Sequence, residues 1–251
     1  MQAMPSWSER AHPLPTAVAL GVAFLFLGAP PDEEAFRKER ERMVRDQIEW
    51  RGIRDARVLA ALRSTPRHEF VSADLYSYAY DDRPLPIGYG QTISQPYIVA
   101  KMTELLETKR EQRVLELGTG SGYQAAILSP LVREVYTIEI VEPLGNSART
   151  RLERLGYPNI WVKVGDGYFG WPERAPFDAI VVTAAANHVP PPLIEQLKPG
   201  GRMVIPIGNP FQVQNLMLVV KGKENRDLKI YNIMPVAFVP LTGGHKQPPR
   251  K

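Results

Sequence analysis

From residue 113 to residue 239 the chain alternates short, unbroken apolar runs with stretches whose apolar positions recur at helical spacing. The runs predict strands at 113–117, 134–140, 160–164, 177–183, 201–207, 214–220 and 229–239. The spaced patterns between them predict helices at 122–129, 143–155 and 190–197. Joined by right-handed crossovers, these elements give an α/β fold, a doubly wound and mostly parallel sheet of about seven strands. Ligands of such a sheet gather beyond the carboxyl ends of its early strands.

Upstream, the pattern is helical without strands. Residues 33–50 are charged and helix-forming, with Phe36, Met43, Val44 and Ile48 as apolar contacts and Gly52 as a stop. A second helix runs from Asp55 as cap through Val58, Leu59 and Leu62 to the break at Pro66. Residues 81–95 are rich in Pro and Gly, and Pro96 then opens an amphipathic helix with Ile98, Val99, Met102, Leu105 and Leu106 on one face.

The start of the chain has a different composition. No charge occurs from Pro13 to Pro31, and the core of that stretch, Ala17 to Leu27, is almost wholly apolar. The organisation expected is an apolar extension over 1–31 followed by one domain over 32–251. The extension reads either as a signal or anchor element or as an appendage of little consequence. Arg37, Lys38, Arg40, Arg42 and Arg45 follow it, and such a bias holds the domain in the cytoplasm. Membrane anchoring or export through the apolar run is the competing expectation.

With 251 residues, 44% of them hydrophobic and 23% charged, the chain is long enough to bury a sizeable core. The net charge of +4 comes from 31 basic residues scattered among 27 acidic ones, so no nucleic-acid partner is expected. The absence of cysteine excludes disulfides, thiolate metal sites and cysteine nucleophiles. Histidines occur only at 12, 68, 188 and 245, without metal-ligand spacing, and no metal is assigned. His68 falls in an amphipathic run and His188 in a Pro-rich loop, which gives them structural or rim roles. Tyr78, Tyr80 and residues 187–192 are candidates for a peptide groove.

The chemistry concentrates at three strand ends. The run Val114-Leu115-Glu116-Leu117 leads into Gly118-Thr119-Gly120-Ser121-Gly122, a glycine turn that opens a helix and presents bare backbone N–H groups to a ligand. Its glycine spacing is not that of a dinucleotide fingerprint. Glu116, two residues before the first glycine, suits a positively charged amino acid moiety rather than a pyrophosphate. Glu139 closes the second strand about 20 residues later, the separation at which an acid accepts hydrogen bonds from ribose hydroxyls. Asp166, in Gly165-Asp166-Gly167, follows the third strand, where an adenine amino group would find an acceptor. Each feature has a plainer reading, as an ordinary turn or a solvated strand end. Their order and spacing in one α/β unit favour a single nucleoside-bearing cofactor.

The glycine turn resembles the first motif of the S-adenosylmethionine methyltransferases. Other stretches narrow the likeness to the protein-L-isoaspartate O-methyltransferases. They are Arg51-Gly52-Ile53, Pro66-Arg67-His68-Glu69-Phe70-Val71, the run from Leu85 to Tyr97, Pro176-Phe177-Asp178-Ala179-Ile180, Lys198-Pro199-Gly200-Gly201 and Phe238-Val239-Pro240-Leu241. The likeness covers about residues 36 to 245. It implies a Rossmann-like domain with a short N-terminal helical region, acting as a monomer on isoaspartyl proteins and peptides. It further implies S-adenosylmethionine as cofactor, held by Glu116, Gly118, Thr119, Gly120, Ser121, Gly122, Glu139, Asp166 and Gly167. The reaction implied is methyl transfer to the α-carboxylate of an L-isoaspartyl residue. Ser94 matches the active-site serine of the family signature, with Thr92 as a second substrate contact. Residue chemistry alone favours the plainer reading, with Ser94 as a cap of the helix opened by Pro96 and Thr92 as a loop residue, and it is the family signature that reverses this preference. Two other functions share the cofactor residues. A methyltransferase of RNA or a small molecule calls for a basic face or a base-holding motif, neither of which is visible, and a non-catalytic binding module has no need of Thr92 and Ser94.

Overall fold

The computed structural model describes Met1 and residues 33–209, 213–224 and 227–243. The apolar run at 17–27 lies outside the described residues, and the fold below belongs to the unit Asp32–Lys251. Its centre is a seven-stranded sheet of β3 (Arg113–Leu117), β4 (Glu134–Glu139), β5 (Ile160–Val164), β6 (Phe177–Val182), β7 (Leu197–Ile207), β8 (Gln214–Lys221) and β9 (Leu228–Val236), in the order β5-β4-β3-β6-β7-β8-β9. The first five pair in parallel, whereas β7–β8 and β8–β9 are antiparallel. The alternation of apolar runs and helical stretches therefore gave the expected α/β class. The antiparallel end follows from the short connections after β7, which allow hairpins but no crossover helix.

The central strands read as continuous apolar runs because both of their faces are covered. Val114, Val135, Val181 and Val204 turn to one face, where they pack with α2 (Ala56–Ser64), α3 (Pro96–Leu105) and α4 (Tyr123–Leu128). Leu115, Leu117, Tyr136, Ile138, Ile180 and Val182 turn to the other, with Leu193 of α6 (Pro191–Gln196). Two carboxylates interrupt this pattern. Glu116 and Glu139 point to the first face, yet both are buried.

Three elements depart from the sequence pattern. The helix expected over 33–50 is α-helical only over Glu33–Arg42 (α1) and continues as a π-helix over Met43–Glu49. The Pro- and Gly-rich stretch contains an antiparallel hairpin, β1 (Leu85–Gly88) with β2 (Gln91–Ile93), which no strand had been expected to form. Its turn is left-handed at three consecutive residues, Gly88, Tyr89 and Gly90, with φ of 89°, 53° and 70°. Two glycines make that turn accessible, and Tyr89 alone carries the side-chain strain. Finally, the last strand stops at Val236 rather than 239. The segment beyond it crosses the carboxyl end of the sheet, bonded through Ala185 N to Val239 O and Leu241 N to Ala185 O.

Candidate active site

Strand order reverses at β3, whose neighbours β4 and β6 lie on opposite sides, and a cleft opens beyond the carboxyl ends of these strands. Counted out to its open mouth, the cleft spans ≈ 780 Å³. The sheet contributes Glu116, the glycine turn, Glu139 and Thr183, the hairpin side contributes Gln91 to Ser94, and Val239 to Thr242 close it.

The glycine turn is fixed by its neighbours. Gly118 N and Thr119 N both donate to Ile138 O, and Thr183 Oγ1 donates to Leu117 O and Gly118 O. A side chain on Gly118 would strike Thr183 Oγ1, and its φ of +92° disfavours any L residue, so this position requires glycine. Gly120 faces Ile87 of the hairpin, 3.2 Å from where a Cβ would stand, and this close approach brings the hairpin against the turn. Glu139 ties the turn to β4. Its Oε2 accepts from Gly120 N at 2.7 Å and its Oε1 from Val141 N at 2.9 Å. A carboxylate has about four acceptor positions, so each oxygen keeps a lone pair for a ligand hydroxyl.

Glu116 is wholly buried on β3, and neither of its oxygens has a hydrogen-bond partner. Burial pushes its carboxyl up to about 8; Thr137 pulls the other way and the Glu139 charge adds to the rise. A buried, unpartnered carboxyl in a ligand cleft is an acceptor held in reserve for a cation. Together with Glu139 and the tight glycine turn, this donor set fits S-adenosylmethionine, an amino acid cation joined to a nucleoside.

Ser94 lies between β2 and α3 and lines the cleft, as does Thr92. The capping role open to Ser94 goes elsewhere: the N-cap is Gln95, and Asp82 Oδ1 accepts from Tyr97 N at 3.3 Å. Gln95 in turn donates to Asp82 Oδ2 at 2.8 Å, which pins the start of the helix to the preceding loop.

Of the residues assigned from sequence, the cleft brings together Thr92, Ser94, Glu116, Gly118, Thr119, Gly120, Ser121, Glu139 and Gly167. Gly122 and Asp166 stand outside its lining. Gly122 is the left-handed N-cap of α4, facing Leu152, and Asp166 caps a short 3₁₀ turn by accepting from Tyr168 N at 2.9 Å. Gly243 packs directly on the Asp166 carboxylate. Tyr80 is also no groove residue, since it is buried with its hydroxyl between Arg40 and His68. His188 contacts Tyr168 Oη at 3.3 Å on the exposed rim. The sequence reading did not assign Thr183, Tyr123, Gln124 or Val239 to Thr242 to the site. Thr183 was accessible to the strand-end rule that picked out Glu139, whereas the C-terminal segment had been read as more strand. Among the described residues no cluster of metal-ligating side chains occurs, and no helix is long and apolar enough to cross a membrane.

Residues 38–246 match the family model described as protein-L-isoaspartate(D-aspartate) O-methyltransferase. The chain is 61% identical over 213 residues to protein-L-isoaspartate O-methyltransferase 2 of Syntrophobacter fumaroxidans, covering 85% of this chain and 83% of that one. A solved protein-L-isoaspartate O-methyltransferase superposes with a TM-score of 0.74 at 31% identity, over 82% of this chain and 66% of that one. A Plasmodium falciparum protein described as a beta-aspartate methyltransferase, solved in complex with S-adenosyl-L-homocysteine, gives 0.68 at 25% identity, over 81% and 98%.

Proposed function

The chain belongs to the protein-L-isoaspartate(D-aspartate) O-methyltransferase family, and from that premise we propose that it methylates the α-carboxylate of L-isoaspartyl residues in damaged proteins and peptides, with S-adenosylmethionine as methyl donor. The observation that carries the reading is one cleft with two kinds of wall. Its sheet side offers buried carboxylates and a glycine turn for the donor, and its hairpin side offers the hydroxyls of Thr92 and Ser94 for an acceptor.

When bound, S-adenosylmethionine supplies an electrophilic methyl group that already carries its sulfonium leaving group. The acceptor carboxylate, with an ordinary pKa near 4, is ionised at neutral pH and needs no general base. What the chain contributes is alignment, which can lower a barrier by roughly 7–11 kcal/mol. Ser94 Oγ and Thr92 Oγ1 hold the acceptor carboxylate through hydrogen bonds that orient it without protonating it. Glu139 and the backbone of Gly118 to Ser121 position the nucleoside part, and Val239 to Thr242 limit water access from above. The methyl ester then closes spontaneously to a succinimide, whose hydrolysis returns part of the material to normal aspartate.

The domain over 32–251 is the working unit, acting as a monomer in the cytoplasm, where a polar and charged methyl donor is made and from which it does not readily cross a bilayer. Residues 1–31 are an appendage to the chemistry. The nature of the product tests the reading. An isoaspartyl peptide is expected to gain one methyl group that is lost as methanol in mild base with succinimide appearing, whereas an alkali-stable methyl group would contradict an ester.

A further inference from the structure

Three buried polar groups of the cleft lack partners: the Glu116 carboxyl, the Gln124 carbonyl and the Tyr123 hydroxyl. The orientation of the Gln124 amide follows from its neighbours. Thr103 Oγ1 donates its single proton to Val99 O at 2.7 Å, so toward Gln124 it can only accept, and Gln124 Nε2 donates to it at 2.8 Å. Gln124 Oε1 is therefore the atom left over. Thr137, the register neighbour of Glu116, shares a hydroxyl–hydroxyl bond with Thr119 at 2.6 Å in which either can donate; its nearness favours the ionised Glu116, but it does not meet either carboxyl oxygen in hydrogen-bond geometry.

The cleft thus holds three oxygens without partners, two from Glu116 and one from Gln124, all three of which can accept once Glu116 is ionised. An ammonium has three donors and no acceptor. Among the groups that face Glu116, the one formal charge is that of Glu139 on β4, of like sign; Thr183 from β6 and Tyr123 and Gln124 from α4 are neutral. Arg67 stands behind Tyr123, with its guanidinium 4.9 Å from the ring centroid. An ionised carboxylate sealed in this way without a hydrogen bond or cation is strongly disfavoured, while the neutral acid is not.

We propose that Glu116 holds a proton in the free protein and releases it to solvent when the α-ammonium of the methyl donor's amino acid part enters, with Gln124 Oε1 as the second acceptor. The exchange balances as one O–H bond of the Glu116 acid broken, its proton passing to buffer, and the resulting carboxylate compensated by the incoming ammonium. This rests on the methyltransferase reading above. The raised carboxyl pKa of about 8 is in keeping with it.

The test is titration calorimetry of S-adenosylhomocysteine into the full-length protein at pH 6.5, repeated in buffers of different ionisation enthalpy. Release of close to one proton per ligand is expected for the wild type. Glu116→Gln is expected to bind with release near zero, and 5′-methylthioadenosine, which lacks the amino acid part, to release none from the wild type. A measurement independent of any variant is the wild-type Kd for S-adenosylhomocysteine, which should tighten close to tenfold from pH 6 to pH 7. Gln124→Met is expected to weaken binding several-fold with the proton count unchanged. Binding without buffer-dependent heat, or equal release with 5′-methylthioadenosine, overturns the proposal and leaves the methyltransferase reading standing. No binding of S-adenosylhomocysteine at all would overturn that reading as well.

Discussion

Glu139 holds Gly120 N and Val141 N, so removing its carboxylate frees two backbone donors, and in the proposed complex it also removes a contact to the methyl donor. Glu139→Ala is expected to weaken S-adenosylhomocysteine binding by about 1–3 kcal/mol, with Glu139→Gln recovering part of this through its remaining carbonyl acceptor, as read by calorimetry. Ser94 lines the cleft on the side proposed for the acceptor, so the expected pattern is opposite. Ser94→Ala should lower kcat/KM for an isoaspartyl peptide about 10–150-fold, the loss of one hydrogen bond to a charged group, while donor affinity stays within about twofold. Equal loss of affinity and rate in Ser94→Ala would place the residue in the donor site instead. The positions of Glu116 and Glu139 in the cleft were legible because each stands at the end of an apolar run that the order of elements brings to the carboxyl edge of the sheet. Asp166 follows the same rule and stands outside the cleft lining, where its carboxylate caps a turn as the Asx residue of a Gly-Asp-Gly triplet. Gln124 and Tyr123 were hidden in the apolar pattern of a helix start, where nothing in the sequence distinguishes a packed side chain from a cleft wall.

At the scale of elements, the hairpin β1–β2 carries Thr92 and leads directly into Ser94, and it escaped the pattern because Pro86, Gly88 and Gly90 interrupt the alternation that marks a strand. The π-helical stretch of Met43–Glu49 was equally unreadable, since its apolar residues Met43, Val44 and Ile48 also suit an α-helix. α1 is docked through an aromatic cluster, with Phe36 stacked on His68 at 3.9 Å. Tyr80 Oη accepts from Arg40 Nη1 at 3.1 Å and shares a hydrogen bond of 2.7 Å with His68 Nδ1, which Tyr80 donates when that nitrogen carries no proton. Burial depresses the His68 pKa below its usual 6.5, with Glu33 and Glu69 opposing and Arg40 reinforcing. The unfolded chain then binds a proton near pH 6.5 that the folded one refuses, so this contribution is constant above that pH and stability falls as pH drops through it. Thermal melts at pH 7.5 and 5.5 are expected to show a larger acid-induced drop in Tm for the wild type than for His68→Asn. An equal drop in both would show that His68 does not couple the docking of α1 to pH.

For the whole molecule, the α/β class and the position of the site at the carboxyl edge followed from the order of elements alone. Parallel strands need crossovers, and crossovers fix where loops meet. The antiparallel end and the C-terminal segment over the cleft did not follow, because strands β7 to β9 have the same apolar character in either direction and Val239 to Leu241 continue it. A chain beginning at Asp32 is expected to fold, to melt within about 2 °C of the full-length protein and to keep its specific activity. Loss of soluble protein would place residues 1–31 in the core. What the cleft accepts is read by methyl transfer to one peptide synthesised in matched L-Asp and L-isoAsp forms. Incorporation into the L-isoAsp peptide is expected in clear excess over its L-Asp twin, with a rate that falls only toward acid as the acceptor carboxylate protonates. Equal rates on both peptides, or incorporation only into RNA, would contradict the proposed activity.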